Sequence, residues 1–385
     1  MHTGLMASMA DLTHYRAEFP TLERVTYLNS CSLGALSVRT RAAIERYMDQ
    51  WTDLGASAWY EIWVEEIAAL RAKVATLIGA RPEEIAWAPS VSASLSSLAS
   101  AMDFRERNEI AVSDLDFPTL VNQFQVKPTT KISWAASPEG VRMPTEAWRG
   151  AIGERTALVG TSRVCYTTGY VQDMKALGKL AHAAGAYFLC DDYQGTGVVP
   201  VNVREMDCDF FVTGSLKWLM GGTGSTYMYV KRELVDQLAP THTGWWANRN
   251  MFSFDLKKFE YWPDARRFEG GEVNMAGVVG ASAALDMVLE IGVERINRAT
   301  AELVRDLIER AKDAKFEIGT PTDPKEQSGI VVLKMEDPAK ATKLLAKEKI
   351  IVDHRPGKLR VSPYFYNTPE ENQKLIDSLV ASRVR

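Results

Sequence analysis

The chain has 385 residues, more than the roughly 100–200 that one domain takes, so two unequal domains are expected. Hydrophobic residues make up 46% and charged residues 24%, a globular composition that excludes disorder as the main state. With 45 basic against 49 acidic residues, a net charge of -4 and no block of like charge, nothing resembles a nucleic-acid footprint, and small molecules are the expected partners.

The opening residues carry no basic stretch followed by an apolar run, so they are not read as a secretory leader. Ile44, Met48 and Trp51 repeat at helical spacing and are read as core. From Trp63 the apolar positions Ile67, Leu70, Val74 and Leu77 continue that spacing up to Gly79, which sits where a helix terminator belongs. Ile85 to Met102 is uncharged and as long as a membrane span, but six serines and Pro89 stand in place of an apolar run, and no membrane association is expected.

Short apolar runs then alternate with helical stretches: 110–112, 157–159, a helix over 173–184 ended by Gly185, then 187–190, 210–212 and 227–230. Such alternation predicts βαβ units and a mainly parallel sheet covered on both faces, with ligands beyond the carboxyl ends of the strands. After Glu269 a long helical segment over 276–314 leads into strands near 330–334, 350–353 and 359–362. The last helix opens with Thr368-Pro-Glu-Glu371, a capping box with proline at its first position. The expected division is an N-terminal segment, 1–30, packing with the small domain, a large domain over 31–268 and a small α+β domain over 269–385. Four scattered cysteines offer neither a disulfide framework nor a zinc site, which fits a reducing cytoplasm.

The chemistry gathers after two of these strands. Asp191-Asp192-Tyr193-Gln194 puts carboxylates and an amide at the mouth of the sheet, and Lys217 follows the strand that begins at Phe210. A lysine there either reaches solvent along its stem or keeps its amine for covalent work. Pyridoxal phosphate requires a Schiff-base lysine paired with an upstream aspartate that keeps the pyridine nitrogen protonated.

On Asp191 with Gln194, and on the stretch Thr213 to Leu219 around Lys217, the sequence resembles the class V aminotransferase superfamily from about Leu28 onward. This group of fold type I pyridoxal-phosphate enzymes includes kynureninases, cysteine desulfurases and isopenicillin N epimerase-like proteins. The resemblance implies a seven-stranded-type sheet in the large domain, pyridoxal 5′-phosphate as cofactor, an amino-acid substrate and a homodimer with its sites at the subunit interface. It implies that Lys217 and Asp191 are catalytic. It makes Val91 and Ser92 the cup for the cofactor phosphate at a helix start, Phe117 the ring stacked on the pyridine, and Thr168, Gln194, Thr213, Ser215 and Trp245 further cofactor contacts. Trp245 would reach the neighbouring subunit's phosphate. Arg360, in His354-Arg-Pro-Gly-Lys-Leu-Arg360, is the implied carboxylate clamp, with Tyr166, Asn29 and Glu272 on the substrate side.

Several positions depart from the family pattern. Phe117 and Arg163 stand where histidines are common, Leu216 precedes the lysine where histidine or tyrosine is usual, and Glu272 replaces a threonine that binds the partner's phosphate. No cysteine lies between Lys347 and Arg360, which argues against a desulfurase using a persulfide, and Leu120 departs from kynureninase itself. The expected reaction is a kynureninase- or desulfurase-like lyase reaction. The alternatives are a class V aminotransferase, an epimerase, or a cofactor-binding scaffold without turnover. A nucleotide-binding dehydrogenase is disfavoured because Gly221-Gly-Thr-Gly224 lacks the required glycine spacing.

Overall fold

The structure, a computed structural model, describes residues 12–383. Its centre is a seven-stranded sheet built from β1 (Ile85–Ala88), β2 (Glu109–Ser113), β3 (Lys131–Ala135), β4 (Thr156–Ser162), β5 (Tyr187–Asp191), β6 (Phe210–Gly214) and β7 (Thr226–Val230), in the order β1-β7-β6-β5-β4-β2-β3. Only β7 runs against its neighbours. Successive residues enter two separate cores, as the period of two requires. Ala111, Phe188, Cys190 and Phe211 join the core on one face, and Ile110, Val112, Leu189, Phe210 and Val212 join that on the other. Both faces are therefore covered, and these strands read as continuous apolar runs.

Helices α1 (Val38–Leu54) and α2 (Val64–Ile78) precede the sheet, while α3 (Val91–Ala101), α4 (Pro118–Gln125) and α5 (Met174–Ala183) connect its strands. Gly79 ends α2 in the left-handed conformation, φ 72°. Met48 and Trp51, expected in the core, are 50% and 60% exposed on α1. Ile44, one turn earlier, does pack against the large core, with Tyr47 beside it.

The helical segment expected over 276–314 is two helices, α6 (Met275–Ile291) and α7 (Val293–Asp313), bent by 81° at Gly292, whose φ of 86° breaks the helix. Helix α6 contributes Val278, Ala281 and Leu285 to the large core. The same core continues past the elbow through Val293, Ile296 and Ala299 of α7. Beyond it, β8 (Glu317–Ile318), β9 (Val331–Lys334), β10 (Asp353–Arg355) and β11 (Lys358–Val361) form an antiparallel sheet in the order β10-β11-β9-β8, with α7, α8 (Pro338–Lys347) and α9 (Pro369–Ser382). The capping box at Thr368 and Glu371 is present. Of the N-terminal segment, residues 1–11 lie outside the described residues. Thr26–Tyr27 pairs with Ile350–Ile351, Leu28 enters the small-domain core, and Tyr15 and Phe19 pack edge-on to Phe365. Among the described residues, no single helix is long and apolar enough to cross a membrane.

Just past the N-terminal segment, Gly34 packs against the turn that carries Lys217. Its N–H donates to the Leu216 carbonyl at 2.9 Å, and a Cβ there would lie 2.3 Å from the Lys217 carbonyl oxygen and 2.7 Å from Met220 Cα. Both are backbone atoms that cannot step aside. Gly34→Ala is expected to destabilise the protein by about 1–3 kcal/mol, read as a lowered denaturant midpoint at constant slope. An unchanged midpoint would show that the two segments are not packed this closely.

Candidate active site

A cavity of about 350 Å³ opens at the C-terminal ends of β4, β5 and β6, lined among others by Val91, Ser92, Phe117, Tyr166, Asp191, Tyr193, Gln194 and Lys217. Strand direction brings these residues together. Each parallel strand delivers its following loop to the same edge of the sheet.

Lys217 sits in a turn closed by Met220 N–H to Lys217 O at 3.0 Å and Gly221 N–H to Ser215 O at 2.8 Å. Its amine makes no ion pair among the described residues; it lies 4.5 Å from the Tyr193 ring centroid and 5.9 Å from that of Phe117. Burial pulls the amine down to about 8, the Cys31 thiol and Asp191 act against that pull, and the Arg360 and Arg355 charges add to it. A buried amine that is partly neutral near neutral pH is suited to nucleophilic and base chemistry.

The two neighbouring carboxylates have separate fates. Asp192 is fully buried and bound on both oxygens by Arg163, Nε to Oδ1 at 2.7 Å and Nη2 to Oδ2 at 2.9 Å. Thr196 Oγ1 donates to the same Oδ2 at 2.7 Å. Asp191 is left to face the cavity, its Oδ1 accepting from Tyr193 N at 3.0 Å. Burial pushes Asp191 up to about 6, against the Tyr193 N–H and the Lys217 charge. A cationic ring nitrogen would supply the partner this carboxylate lacks.

At the opposite wall Ser90 caps α3, its Oγ accepting from Ala93 N at 3.2 Å. The N–H groups of Val91 and Ser92 come first in the helix and have no intrahelical acceptor. Free N–H donors at a helix start suit a phosphate. A buried amine, a carboxylate with no ion pair among the described residues and an anion cup around one cavity fit pyridoxal phosphate. Lys217, Asp191, Val91 and Ser92 would hold it. Phe117, 42% exposed and edge-on to Tyr166 at 5.2 Å, projects into the space between them. Its loop is fixed by Asp116, which accepts from Ser113 N, Thr161 Oγ1 and Ser162 N at 2.8, 2.9 and 2.7 Å.

Other expected residues are placed differently. Gln194 lines the cavity, but its Nε2 donates to the Cys31 carbonyl at 3.0 Å. Thr168, Thr213 and Ser215 are buried outside the wall. The Thr168 hydroxyl accepts from Tyr170 N, that of Thr213 donates to the Asp192 carbonyl, and that of Ser215 pairs with Tyr227 at 2.6 Å. Asn29 pairs with Ser362 as a backbone bridge, and its buried Oδ1 has no hydrogen-bond partner among the described residues. Trp245 and Glu272 line a second cavity. Arg360 is buried behind Tyr166. It donates from Nη1 to the Tyr166 carbonyl at 3.0 Å and from Nη2 to Ser32 Oγ and Asp353 Oδ2, both at 2.7 Å, while Nε has no hydrogen-bond partner among the described residues.

Two residues of consequence were not singled out in the sequence. Tyr193 links the site's two charges, with its N–H on Asp191 and its ring under Lys217. The ring fills the space left by Gly214, where a Cβ would lie 2.5 Å from Tyr193 Cε2. Asp353 is the shared carboxylate of Arg360 and Arg355. Burial alone would raise it, but the Ser32 hydroxyl, the His354 N–H and the two guanidiniums hold it down at about 2.

The Asp191 environment has a measurable consequence. A carboxyl raised on folding stabilises the fold below its unfolded value of about 3.9, and this contribution is lost as pH rises through about 6. In cofactor-free protein, Asp191→Asn is therefore expected to gain about 2–3 kcal/mol relative to the parent between pH 4 and pH 7, measured by denaturant unfolding. A gap independent of pH would show that Asp191 is solvated.

The profile of the family described as Aminotransferase class-V matches residues 39–375. An uncharacterized aminotransferase of Bacillus subtilis, YcbU, is 33% identical over 96% of this chain and 98% of its own length. A kynureninase of Bacillus cereus is 28% identical over 96% of this chain and 91% of its own. Among solved structures, a C-DES variant with glycine covalently linked to its PLP cofactor has a TM-score of 0.88 at 19% identity, covering 95% of this chain and 98% of that one. The chain belongs to the class V aminotransferase family, has the fold type I architecture, and is an enzyme whose cofactor is pyridoxal 5′-phosphate.

Proposed function

We propose that the protein is an amino-acid lyase that cleaves a bond in the substrate side chain, by elimination or C–C or C–S cleavage, and acts as a homodimer in the cytoplasm. One observation carries this reading: the Lys217 amine, without an ion pair among the described residues, stands over Tyr193 in the cavity that Asp191 faces. Pyridoxal phosphate, when bound, supplies an electron sink for a carbanion at the substrate's α-carbon. Lys217, held near 8, takes the α-proton as its base. Asp191 holds a proton at the pyridine nitrogen, Phe117 and Tyr193 exclude water around the amine, and Gln194 offers its remaining amide proton to the cavity. Arg360 anchors the substrate carboxylate once its grip on Asp353 is shared or exchanged. A phenylalanine at 117 and a leucine at 216 leave Lys217 without a neighbouring histidine, so a single base serves the α-carbon.

Kynureninases among the relatives support the lyase branch. The relative named an aminotransferase supports transamination as a second reading. A persulfide route has little support, because all four cysteines are buried and Cys31, Cys165, Cys190 and Cys208 lie outside the β10–β11 hairpin.

The test is α-proton exchange into deuterated solvent across an amino-acid panel, followed by product analysis. Exchange with release of alanine or pyruvate from one substrate supports the lyase. A keto acid formed with the aminated cofactor supports the second reading, and no exchange with any amino acid would overturn both. Arg360→Lys should raise KM for the active amino acid by roughly 10- to 100-fold, the loss of a charge-assisted bidentate contact, with a smaller change in kcat. An unchanged KM would remove Arg360 from carboxylate recognition.

A further inference from the structure

The hairpin that carries Arg360 holds more positive charge than one substrate carboxylate would answer. In a sheet, residues directly across from each other share a face, and so do residues two apart on one strand. Asp353 stands across from Arg360, and Arg355 across from Lys358, so β10 and β11 present all four on one face. The opposite face is apolar, with Val331, Leu333, Leu359 and Val361 in the small-domain core. Val332, which β9 places across from Arg360, enters the large core instead. The charged face is therefore the one turned toward the large domain.

Tyr166 joins this face to the first cavity. It lines the cavity, its carbonyl accepts from Arg360 Nη1 at 3.0 Å, and Arg355 Cζ lies 5.9 Å from its ring centroid. The charges of Arg355 and Arg360 both reach the Lys217 amine.

The charges on the face do not balance. Lys334, across from Lys358, is answered by Glu317 at 2.6 Å. Arg355, Lys358 and Arg360 remain, with Asp353 as their carboxylate among the described residues. Arg355 and Arg360 reach the same Asp353 Oδ2, at 2.8 and 2.7 Å. Lys358 makes no ion pair or hydrogen bond among the described residues, and burial pulls its amine down, with the Lys334 charge adding to that pull and the Cys165 thiol opposing it. The α-carboxylate placed at Arg360 answers one of the two surplus charges. The second is left at Arg355 and Lys358.

Geometry narrows what answers it. Arg355 spends Nη1 on Asp353 and on the His354 carbonyl, while its Nε and Nη2 make no hydrogen bond among the described residues. That planar edge accepts a carboxylate in two parallel bonds. A cationic side chain would be repelled by both residues, and an apolar one would strip water from them and return nothing.

We infer that the substrate is a dicarboxylic amino acid, its side-chain carboxylate received by Arg355 and Lys358 while Arg360 holds the α-carboxylate. The inference rests on the role given to Arg360 above and is the same for every branch of the reaction. Two residues of strand separate the Arg355–Lys358 pair from the Asp353–Arg360 pair, about 7 Å, so the side chain has a few carbons with which to span them.

The test is calorimetry on the holoenzyme with succinate, glutarate and adipate, each beside its own monoamide, so that binding is read without turnover. The best-bound diacid is expected to bind at least about tenfold more tightly than its monoamide. Arg355→Gln should weaken the diacid about tenfold and leave the monoamide nearly unchanged, and Lys358→Gln should act in the same direction. No preference for any diacid over its monoamide, or a preference retained in full by both variants, would overturn the inference. Failure of the reaction reads differently. A diacid preference lost in Arg355→Gln, in a protein that exchanges no α-proton from any amino acid, would keep this site and overturn the reaction. Exchange confined to monocarboxylic amino acids would keep the reaction and overturn the substrate class.

Discussion

The buried pair between Arg163 and Asp192 is the interaction on which the candidate site depends. It joins the residue after β4 to the residue after β5, with the guanidinium donating also to the Val199 and Pro200 carbonyls at 2.9 and 2.7 Å. Losing either partner would strand a charge in the core, at a cost of about 3–5 kcal/mol. Its effect on function follows from adjacency. Two carboxylates stand side by side at the end of β5, and fixing Asp192 beneath the sheet edge turns Asp191 toward the cavity. Burial then raises Asp191, and a cationic ring nitrogen is the partner that would return it to its charged form.

The same economy operates around Lys217. Gly214 has no side chain, Tyr193 occupies the vacated space, and the ring becomes the surface on which the amine rests. Gly34 packs onto the Lys217 turn, and Ser32, two residues earlier, accepts from Arg360 of the small domain. A short stretch of chain thus connects the amine of one domain with the guanidinium of the other. Asp353 completes the link, one carboxylate shared by two arginines, so that the pair of guanidiniums carries one uncompensated positive charge, which matches one substrate carboxylate.

Much of this was legible in the residues. The alternation of short apolar runs with helices identified the parallel sheet, because strands buried on both faces carry uninterrupted apolar runs. The strand ends then located Asp191 and Lys217. Strand β3 was missed since it is an edge strand whose Lys131 and Trp134 face solvent. The break at Gly292 was missed because the apolar spacing continues on both sides of it. Side-chain direction was harder still. Thr168, Thr213 and Ser215 neighbour cavity residues in sequence but point into hydrogen bonds below the wall. Trp245 and Glu272 meet in a different cavity because loops far apart in sequence converge there. Tyr193 had a readable signal in a large ring near a glycine at the end of the adjacent strand. Asp353 had one too, since the Pro356-Gly357 turn sets it directly across from Arg360 in the β10–β11 hairpin, an opposite-charge cross-strand pair.

Everything proposed for the first cavity rests on Lys217 being the residue that holds the cofactor. The direct measurement is the absorbance of purified protein supplied with pyridoxal phosphate, followed by borohydride reduction and peptide mass spectrometry. The expected result is a yellow protein whose colour is lost on reduction, with one stable pyridoxyl group on Lys217. A colourless protein, or a pyridoxyl group on another lysine while Lys217 stays unmodified, would contradict it.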